Sequence, residues 1–258
     1  MSGVPAWAEA RVAVVTGGGS GIGAAICHRL AADGAAIAVW DLDGAAAAAT
    51  AASIVADGGR AIGLDVDVSD RASIDAGLAQ TLEQLGTPLI LVNNAGVSPF
   101  ARFAEIDRDA FDAVMAVNAR GTFECSQALA PRMVAAGWGR IVNIASSSAQ
   151  TGSALQTHYA ASKGAVLAFT KSLARELGPK GVTVNAVPPS FIDTPGLRSA
   201  EDSGMLGPGG VDSHVASVPV RRVGTPADIA AAVAFLVRDE AGFVTGQVLG
   251  VNGGRVIS

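Results

Sequence analysis

The chain of 258 residues is rich in apolar and small side chains, with 50% hydrophobic residues, 16% charged residues and 32 glycines. That composition excludes a disordered protein of low hydropathy and high charge. A net charge of −5 without a basic cluster argues against a nucleic-acid partner. Only 5% of the residues are aromatic, so we expect helices packed closely on a sheet, within one domain covering residues 1–258.

The two cysteines, Cys27 and Cys125, are too few for a disulfide framework and lie in no metal-binding spacing. We expect both to be small buried residues, and we predict no metal ion. Residues 1–11 contain no apolar signal segment, and no apolar run reaches the ~18 residues that a membrane span needs. These features favour a cytoplasmic protein without a membrane partner.

Short apolar runs separated by alanine-rich helical stretches dominate the chain. The runs are continuous rather than alternating, which is typical of parallel strands covered by helices on both faces. The pattern therefore predicts an α/β protein with a doubly wound Rossmann fold, in which helices cover both faces of a seven-stranded parallel sheet. The seven predicted strands cover residues 11–16, 35–40, 61–66, 89–93, 139–145, 182–187 and 247–251.

Two helix starts and one irregular segment complete this pattern. Ser69 or Asp70 is expected to cap one helix, and Thr225 with Asp228 three residues later is expected to cap another. Residues 194–223 contain three prolines and five glycines with little periodicity. This segment is too long for an ordinary connection, so we predict a substrate loop or lid.

A glycine-rich turn, TGGGSGIG at residues 16–23, joins the first strand to the first helical stretch. Glycines let backbone amides approach a pyrophosphate, whose charge a helix N-terminus stabilises. Asp41 ends the second strand, where a carboxylate accepts the ribose hydroxyls of NAD and repels the 2′-phosphate of NADP. Neither Ser20 nor Leu42 is basic, so NAD is favoured, although Asp41 is also placed to cap the following alanine-rich stretch. The residues of this region expected to bind the cofactor are Gly17, Ser20, Gly21, Ile22, Gly23, Asp41 and Leu42.

The only tyrosine, Tyr159, lies four residues before Lys163 in a helical stretch, which places both on one helix face. A lysine ammonium near the phenol, together with a positive nicotinamide ring, would lower the tyrosine pKa and allow acid–base catalysis. Ser146 follows the fifth predicted strand, at the sheet edge where ligands bind in such folds. A surface Tyr–Lys pair is the simpler interpretation of the spacing alone. The serine, the glycine turn and Asp41 together favour an active site.

These motifs together resemble those of the short-chain dehydrogenase/reductase family, in its compact single-domain branch. The matching segments are residues 16–23, Asn93-Asn94-Ala95-Gly96, Asn118, Ser146, Tyr159, Lys163 and Asn252-Gly253-Gly254. The resemblance implies an enzyme that moves a hydride between NAD(H) and a secondary alcohol or ketone. It implies that Tyr159 exchanges the proton, Lys163 holds the nicotinamide ribose, Ser146 steadies the oxygen and Asn118 holds a water in a proton relay. It also implies a homotetramer.

The resemblance extends the expected cofactor site beyond the glycine turn. Asp67 is preferred to Asp65 in the repeated Asp-Val sequence, because Ser69 and Asp70 follow the second copy. The further residues implied to contact the cofactor are Asp67, Val68, Asn94, Ala95, Gly96, Tyr159, Lys163, Pro189, Ile192 and Thr194.

One position departs from the family pattern, which has a Pro-Gly pair after the sixth strand where this chain has Pro189-Ser190. Serine lacks the freedom of glycine at positive φ. Either the turn needs no positive φ, or the backbone beside the nicotinamide takes another path and changes the substrate preference.

The substrate itself is left open by the sequence. The candidate wall is largely apolar and consists of Ser98, Phe100, Gln150, Leu155, Phe191, Leu197, Met205 and Leu206. An apolar or acyl-type substrate is expected, and the resemblance allows 3-oxoacyl or 3-hydroxyacyl thioesters, cyclic alcohols, steroids or polyols. A non-catalytic dinucleotide-binding sensor on the same fold is the alternative. An epimerase or dehydratase of the longer family branch would have a differently spaced glycine turn.

Overall fold

The computed structural model describes residues 11–216 and 218–257, and its centre is a parallel sheet of six strands. The strands are β1 (Val12–Thr16), β2 (Ala36–Asp41), β3 (Arg60–Asp65), β4 (Pro88–Asn93), β5 (Gly139–Ile144) and β6 (Val182–Val187). Their order in the sheet is β3-β2-β1-β4-β5-β6, and every pair is parallel. The direction of winding changes between β1 and β4, and in such sheets a ligand crevice lies at the carboxyl ends of those strands.

Helices connect the strands and cover both faces of the sheet. They are α1 (Gly21–Ala32), α2 (Gly44–Ala56), α3 (Arg71–Gln84), α4 (Arg108–Met115), α5 (Gly121–Ala136), α6 (Ser148–Thr151), α7 (Thr157–Leu177), α8 (Pro195–Asp202), α9 (Gly210–Val215) and α10 (Pro226–Leu236). One π-helical turn, Ala116–Arg120, joins α4 to α5. The doubly wound α/β architecture is therefore confirmed.

The seventh predicted strand is the part of this architecture that was wrong. Residues 247–251 run parallel to β6, but they form only the isolated bridges Ala186–Val248 and Pro189–Val251. Proline has no backbone N–H, so residue 189 cannot donate a hydrogen bond to a neighbouring strand. The pairing stays intermittent, and the sheet has six strands instead of seven.

Two apolar layers explain why the strands read as continuous hydrophobic runs. Along β1, Ala13 and Val15 belong to the layer under α1, α2 and α10, while Val14 belongs to the layer under α3, α5 and α7. Successive side chains of a strand point to opposite faces, so both faces need apolar residues. Ala47 and Ala51 are buried in the first layer, in accord with the close helix packing expected from the composition.

The helix caps follow the sequence signals. The Asp70 side chain caps α3 by accepting a hydrogen bond from the Ala72 N–H at 3.0 Å. Thr225 and Asp228 form a capping box at the start of α10. The segment 194–223 is more regular than its composition indicated, because it contains α8 and α9.

Two further expectations concern the cysteines and the membrane. Cys27 and Cys125 are both free and buried, as predicted, and burial raises the pKa of the Cys125 thiol to about 12. Within the ranges that the structure describes, the helices are too short or too polar to cross a lipid bilayer.

Candidate active site

At the carboxyl end of β1, the backbone of the glycine turn packs very closely against neighbouring backbone. Gly17 has φ +62°, and a Cβ placed there would lie 2.9 Å from the Cα of Ala95. A Cβ at Gly23 would lie 1.9 Å from the Gly17 carbonyl oxygen, so no other residue fits without moving the turn. Ser20 precedes α1 without capping it through its side chain. The first-turn amides of α1 therefore lack a side-chain cap, which suits an anion.

A cavity of about 390 Å³ lies over this turn, at the crevice between β1 and β4. Its wall contains residues of the turn, of the β2 and β3 ends, and of the segment after β4. The predicted cofactor residues that line it are Gly17, Ser20, Gly21, Ile22, Asp41, Leu42, Asp67, Val68, Asn94, Ala95, Gly96 and Thr194. Gly23 lies in neither this cavity nor its neighbour and instead packs against the turn.

Asp41 lines this cavity, and two backbone N–H groups orient its carboxylate. Its Oδ2 accepts a hydrogen bond from the Gly19 N–H at 2.8 Å, and its Oδ1 accepts one from the Asp43 N–H at 3.0 Å. Asp43, not Asp41, caps α2, with hydrogen bonds from the N–H groups of Ala45 and Ala46. The alternative that Asp41 is a helix cap was therefore wrong.

The end of β3 distinguishes the two candidate aspartates. Asp67 and Val68 line the cavity, whereas the exposed Asp65 does not. The Asp67 carboxylate accepts hydrogen bonds from the backbone and hydroxyl of Ser69, at 2.8 and 2.7 Å. The structure thus places the second copy of the repeated sequence at the cavity wall.

Thr16, which the sequence analysis did not single out, ties the ends of β1 and β4 together. Its Oγ1 accepts hydrogen bonds from the Asn94 and Ala95 N–H groups, at 3.0 and 3.1 Å. The Asn94 side chain adds two hydrogen bonds between the same segments, because its Nδ2 donates to the carbonyls of Thr16 and Gly17, at 3.0 and 2.9 Å. These bonds hold the two sides of the crevice at a fixed separation.

A second cavity, of about 440 Å³, adjoins the first and contains Ser146, Tyr159 and Lys163 in its wall. The Tyr159 and Ser146 side chains lie close enough for the serine to affect the tyrosine pKa. Ser146 Oγ accepts a hydrogen bond from the Ser148 N–H at 3.1 Å, which fixes its position. Lys163 is buried and donates from Nζ to the Ile144 carbonyl at 2.8 Å. The structure therefore brings together the three residues that the sequence placed on a strand end and a helix.

Burial moves the pKa values of these groups in opposite directions. It raises the pKa of Tyr159 above its ordinary value, and the neighbouring Ser146 hydroxyl lowers that pKa in part. It lowers the pKa of Lys163 to about 8. Both shifts arise because burial disfavours the charged form of a group. The lowered tyrosine pKa expected from the sequence is therefore not produced by these protein groups alone.

Asn118 lies behind the cavity wall, in the π-helical turn, and is fully buried. Its Oδ1 accepts from the Val97 N–H at 2.8 Å, and its Nδ2 donates to the Val97 carbonyl and the Ser162 hydroxyl, both at 2.9 Å. A Cβ added at Gly96 would lie 3.1 Å from Asn118 Oδ1 and 3.3 Å from Lys163 Nζ. The side chain thus holds the segment after β4 close to Lys163.

The wall of the second cavity is more polar than the sequence analysis expected. Of the predicted residues, Ser98, Phe100, Phe191, Leu197 and Leu206 line it, whereas Gln150, Leu155 and Met205 do not. The polar lining residues that the sequence reasoning missed are Ser147, Ser148, Thr151, Ser153, Gln156 and Arg255. The Gln156 Nε2 donates to the Ser98 hydroxyl at 2.7 Å. Gln156 could have been found from its position in the sequence between Ser146 and Tyr159. Arg255 belongs to no motif that could have indicated it.

The floor of this cavity includes the departure at Pro189-Ser190. Ser190 does not have a positive φ, so the interpretation that the turn needs none is confirmed. Its hydroxyl donates to the Asn252 carbonyl at 3.0 Å. Pro189, Ile192 and Thr194, three of the predicted cofactor residues, also line the cavity.

Metal-ligand chemistry was not expected at this site. Across residues 11–216 and 218–257, His, Cys, Asp and Glu side chains form no group of three that is placed to hold a metal ion.

The sequence is similar to that of known proteins along almost the whole chain. Residues 17–255 match the model of a family described as enoyl-(acyl carrier protein) reductase. The short-chain reductase protein NovJ of Streptomyces niveus is 43% identical over 245 residues, covering 95% of this chain and 93% of that protein.

Two further relatives carry more specific names. The 3-oxoacyl-[acyl-carrier-protein] reductase FabG of Pseudomonas aeruginosa is 38% identical, covering 97% of this chain and 99% of that protein. The 2-dehydro-3-deoxy-L-rhamnonate dehydrogenase (NAD(+)) of a Sphingomonas strain is 38% identical, covering 95% of each chain. The chain therefore belongs to the short-chain dehydrogenase/reductase family.

Proposed function

We propose that this protein is an NAD(H)-dependent oxidoreductase that transfers a hydride between the nicotinamide and a secondary alcohol or ketone. The observation that carries the proposal is the juxtaposition of Ser146 and Tyr159, which share one cavity with the buried Lys163. That cavity meets the glycine-lined one along a common wall. The residues lining both are Ile22, Asn94, Gly96, Thr194 and Gly196.

The residues of the glycine-lined cavity fit a dinucleotide. At Gly17 the neighbouring backbone leaves no room for a side chain, and the first-turn amides of α1 suit a pyrophosphate. Asp41 would accept the adenosine ribose hydroxyls, and Asp67 and Val68 would contact the adenine. Leu42 is exposed at 69% and brings no positive charge for a 2′-phosphate, which supports NAD over NADP. The nicotinamide, when bound, supplies the hydride acceptor or donor.

The chain's own residues supply the proton transfer and the orientation of the substrate. In alcohol oxidation, the Tyr159 oxygen takes the hydroxyl proton of the substrate, and in ketone reduction it returns that proton. Ser146 holds the same substrate oxygen by a hydrogen bond. Lys163 places a positive charge beside this pair, and Asn118 holds the segment after β4 against Lys163.

The sensor alternative gains no support from the relatives, which include named reductases and dehydrogenases. A sensor would require only the dinucleotide site. In a sensor, the arrangement of Ser146, Tyr159 and Lys163 in an adjoining cavity would have no role. A homotetramer is part of the same proposal and rests on the family resemblance. A cytoplasmic location is also part of it and rests on the sequence features given above.

The proposed function is tested by a screen in which secondary alcohols, sterols and 3-hydroxyacyl thioesters are supplied as substrates. Reduction of NAD is measured by the absorbance of NADH. We expect at least one class to be oxidised by the wild-type protein. The sensor would be favoured if the protein binds NADH but turns over none of these substrates. That result would have to hold for oxidation and for reduction of the corresponding ketones, with both NAD and NADP.

The preference for NAD is expected to depend on Asp41. Replacing Asp41 by alanine removes the charge that would repel a 2′-phosphate, so the NAD-to-NADP ratio of kcat/KM should fall by about tenfold or more. Asp43→Ala is the matched control, because Asp43 caps α2 and does not line the cavity. It should cost about 1 kcal/mol of stability and leave the ratio unchanged. An unaltered ratio in Asp41→Ala would remove the proposed role of Asp41.

A further inference from the structure

The charged side chains that the structure describes in the wall of the Tyr159 cavity are all positive. They are Lys163 and Arg255, and none of the described aspartates or glutamates lines this wall. Lys163 belongs to the reacting end, beside Ser146 and Tyr159. Arg255 is therefore the charge in this wall that the proposed hydride transfer leaves unexplained.

Arg255 is held over an aromatic ring and has no anionic partner within residues 11–216 and 218–257. Its guanidinium carbon lies 4.3 Å from the centre of the Phe191 ring, a stacking distance that orients the planar group. Among the residues that the structure describes, no side chain forms an ion pair or a hydrogen bond with this guanidinium. Partial burial lowers the pKa of Arg255 from its ordinary value, because it removes water from the charge. An unpaired, oriented guanidinium of this kind is suited to bidentate binding of a carboxylate.

The backbone that carries Arg255 is fixed to the cavity floor. Asn252 Oδ1 accepts a hydrogen bond from the Gly254 N–H at 3.0 Å, and the Asn252 carbonyl accepts one from the Arg255 N–H at 3.2 Å. The same carbonyl accepts the Ser190 hydroxyl at 3.0 Å. Ser190 directly precedes Phe191, so the two groups that stack on each other stand on segments joined by this bond. The place where the chain departs from its family thus steadies the position of Arg255.

The size of the cavity limits what can extend from Tyr159 to Arg255. A volume of about 440 Å³ lies in the range of pockets for small molecules. The other polar side chains of the described wall are hydroxyl groups and the amides of Asn94 and Gln156. Asn94 Nδ2 already donates to the Thr16 and Gly17 carbonyls, and Gln156 Nε2 already donates to Ser98. Arg255 is accordingly the strongest hydrogen-bond donor of the wall away from the reacting end.

We propose that Arg255 binds a carboxylate of the substrate, so that the protein oxidises a small hydroxy acid or reduces the corresponding oxo acid. The inference rests on the proposed function, because it names the substrate class of the same site. The alcohol carbon faces Tyr159 and Ser146, and the carboxylate lies at Arg255. In oxidation, the substrate loses a hydride to NAD and a proton to Tyr159, and the carboxylate is unchanged.

The test compares acids with their neutral esters in the wild-type protein and in Arg255→Gln. The substrates are 3-hydroxybutyrate, 4-hydroxypentanoate and 5-hydroxyhexanoate, each beside its methyl ester, so that the spacing of the two groups varies. We expect Arg255→Gln to lower kcat/KM for the best acid by about 10- to 100-fold, through KM, and to leave the esters unchanged. Arg255→Lys should retain part of the preference because it retains the charge.

Binding without turnover gives an independent readout. Isothermal titration calorimetry of 4-oxopentanoate into protein saturated with NAD⁺ should show weaker binding in Arg255→Gln than in the wild type. The control is Arg60→Gln, since Arg60 is an exposed arginine at the first residue of β3, at the edge of the sheet opposite the site. It should leave both the acid preference and this binding unchanged.

Four results would overturn the inference alone. The first three are an equal loss for acids and esters in Arg255→Gln, no loss for either, and oxidation of other secondary alcohols with none of these acids accepted. Dependence on Arg255 that appears with 3-hydroxybutyryl-CoA but not with the free acids would assign the residue to a thioester carrier and refute the carboxylate. If the wild type oxidises no secondary alcohol at all, the proposed function fails, and the inference fails with it.

Discussion

Replacing Tyr159 by phenylalanine is expected to lower kcat for alcohol oxidation by about 10²- to 10⁴-fold, because it removes the group that takes the substrate proton. The ring stays in place, so the cavity keeps its shape and NADH binding, followed by NADH fluorescence, should persist. Thr157→Val is the matched control, since Thr157 lies on the first turn of α7 but outside the cavity of Tyr159. Substantial activity in Tyr159→Phe would refute the proton-transfer role.

The pKa behind this role can be measured directly, because Tyr159 is the only tyrosine of the chain. Protein labelled with ¹³C at the tyrosine ζ carbon should give one resonance that titrates with pH. Without cofactor, burial should place its pKa above the ordinary value. On addition of NAD⁺ the pKa should fall, because the positive ring favours the phenolate. Alcohol oxidation needs the phenolate and should therefore rise with pH through that pKa, while ketone reduction falls. A resonance that NAD⁺ leaves unmoved would contradict this account.

The fold was predictable where local patterns agree with the final packing. Apolar runs such as Val12–Thr16 lie between two helical layers, so their composition alone indicates a parallel strand buried on both faces. Residues 247–251 have a similar composition, but whether they pair along their whole length depends on the partner. Their neighbour β6 is followed by Pro188 and Pro189, which lie about 60 residues earlier in the chain. Composition within one window does not contain this information.

The same distinction applies to the site. Tyr159 and Lys163 were predictable because a helix fixes their relation over four residues. Arg255 was not, because its position in the cavity wall depends on contacts with Asn252 and Phe191, and Phe191 lies 64 residues away in the chain. The burial that raises the Tyr159 pKa in the protein without cofactor was also not predictable, since the sequence indicated the neighbouring charge but not the extent of burial. Burial depends on every element around the cavity.

Replacing Lys163 by methionine is expected to lower kcat/KM for alcohol oxidation at pH 7 by about 10²- to 10³-fold, as for removal of one electrostatic group from a buried site. Methionine keeps much of the apolar length of the side chain and removes the ammonium. Lys171→Met, an exposed lysine eight residues later on α7, is the control and should have wild-type activity. Loss of activity in both variants would point to the helix rather than to the charge.

The dependence of this effect on pH has a defined sign. Burial lowers the pKa of Lys163 to about 8 from its ordinary value of 10.5. The ammonium is present below pH 8 and is lost as the pH rises, so the difference in activity between wild type and Lys163→Met should narrow above pH 8.

The same pKa shift affects stability. Between pH 8 and 10.5 the unfolded chain binds the proton that the folded protein has released, so this residue contributes stability that increases with pH. Thermal unfolding of the cofactor-free protein from pH 7 to 10 should therefore show a rise in Tm for the wild type relative to Lys163→Met. A difference in Tm that stays constant across this range would show that Lys163 keeps an ordinary pKa, and its charge would then persist wherever the enzyme is assayed.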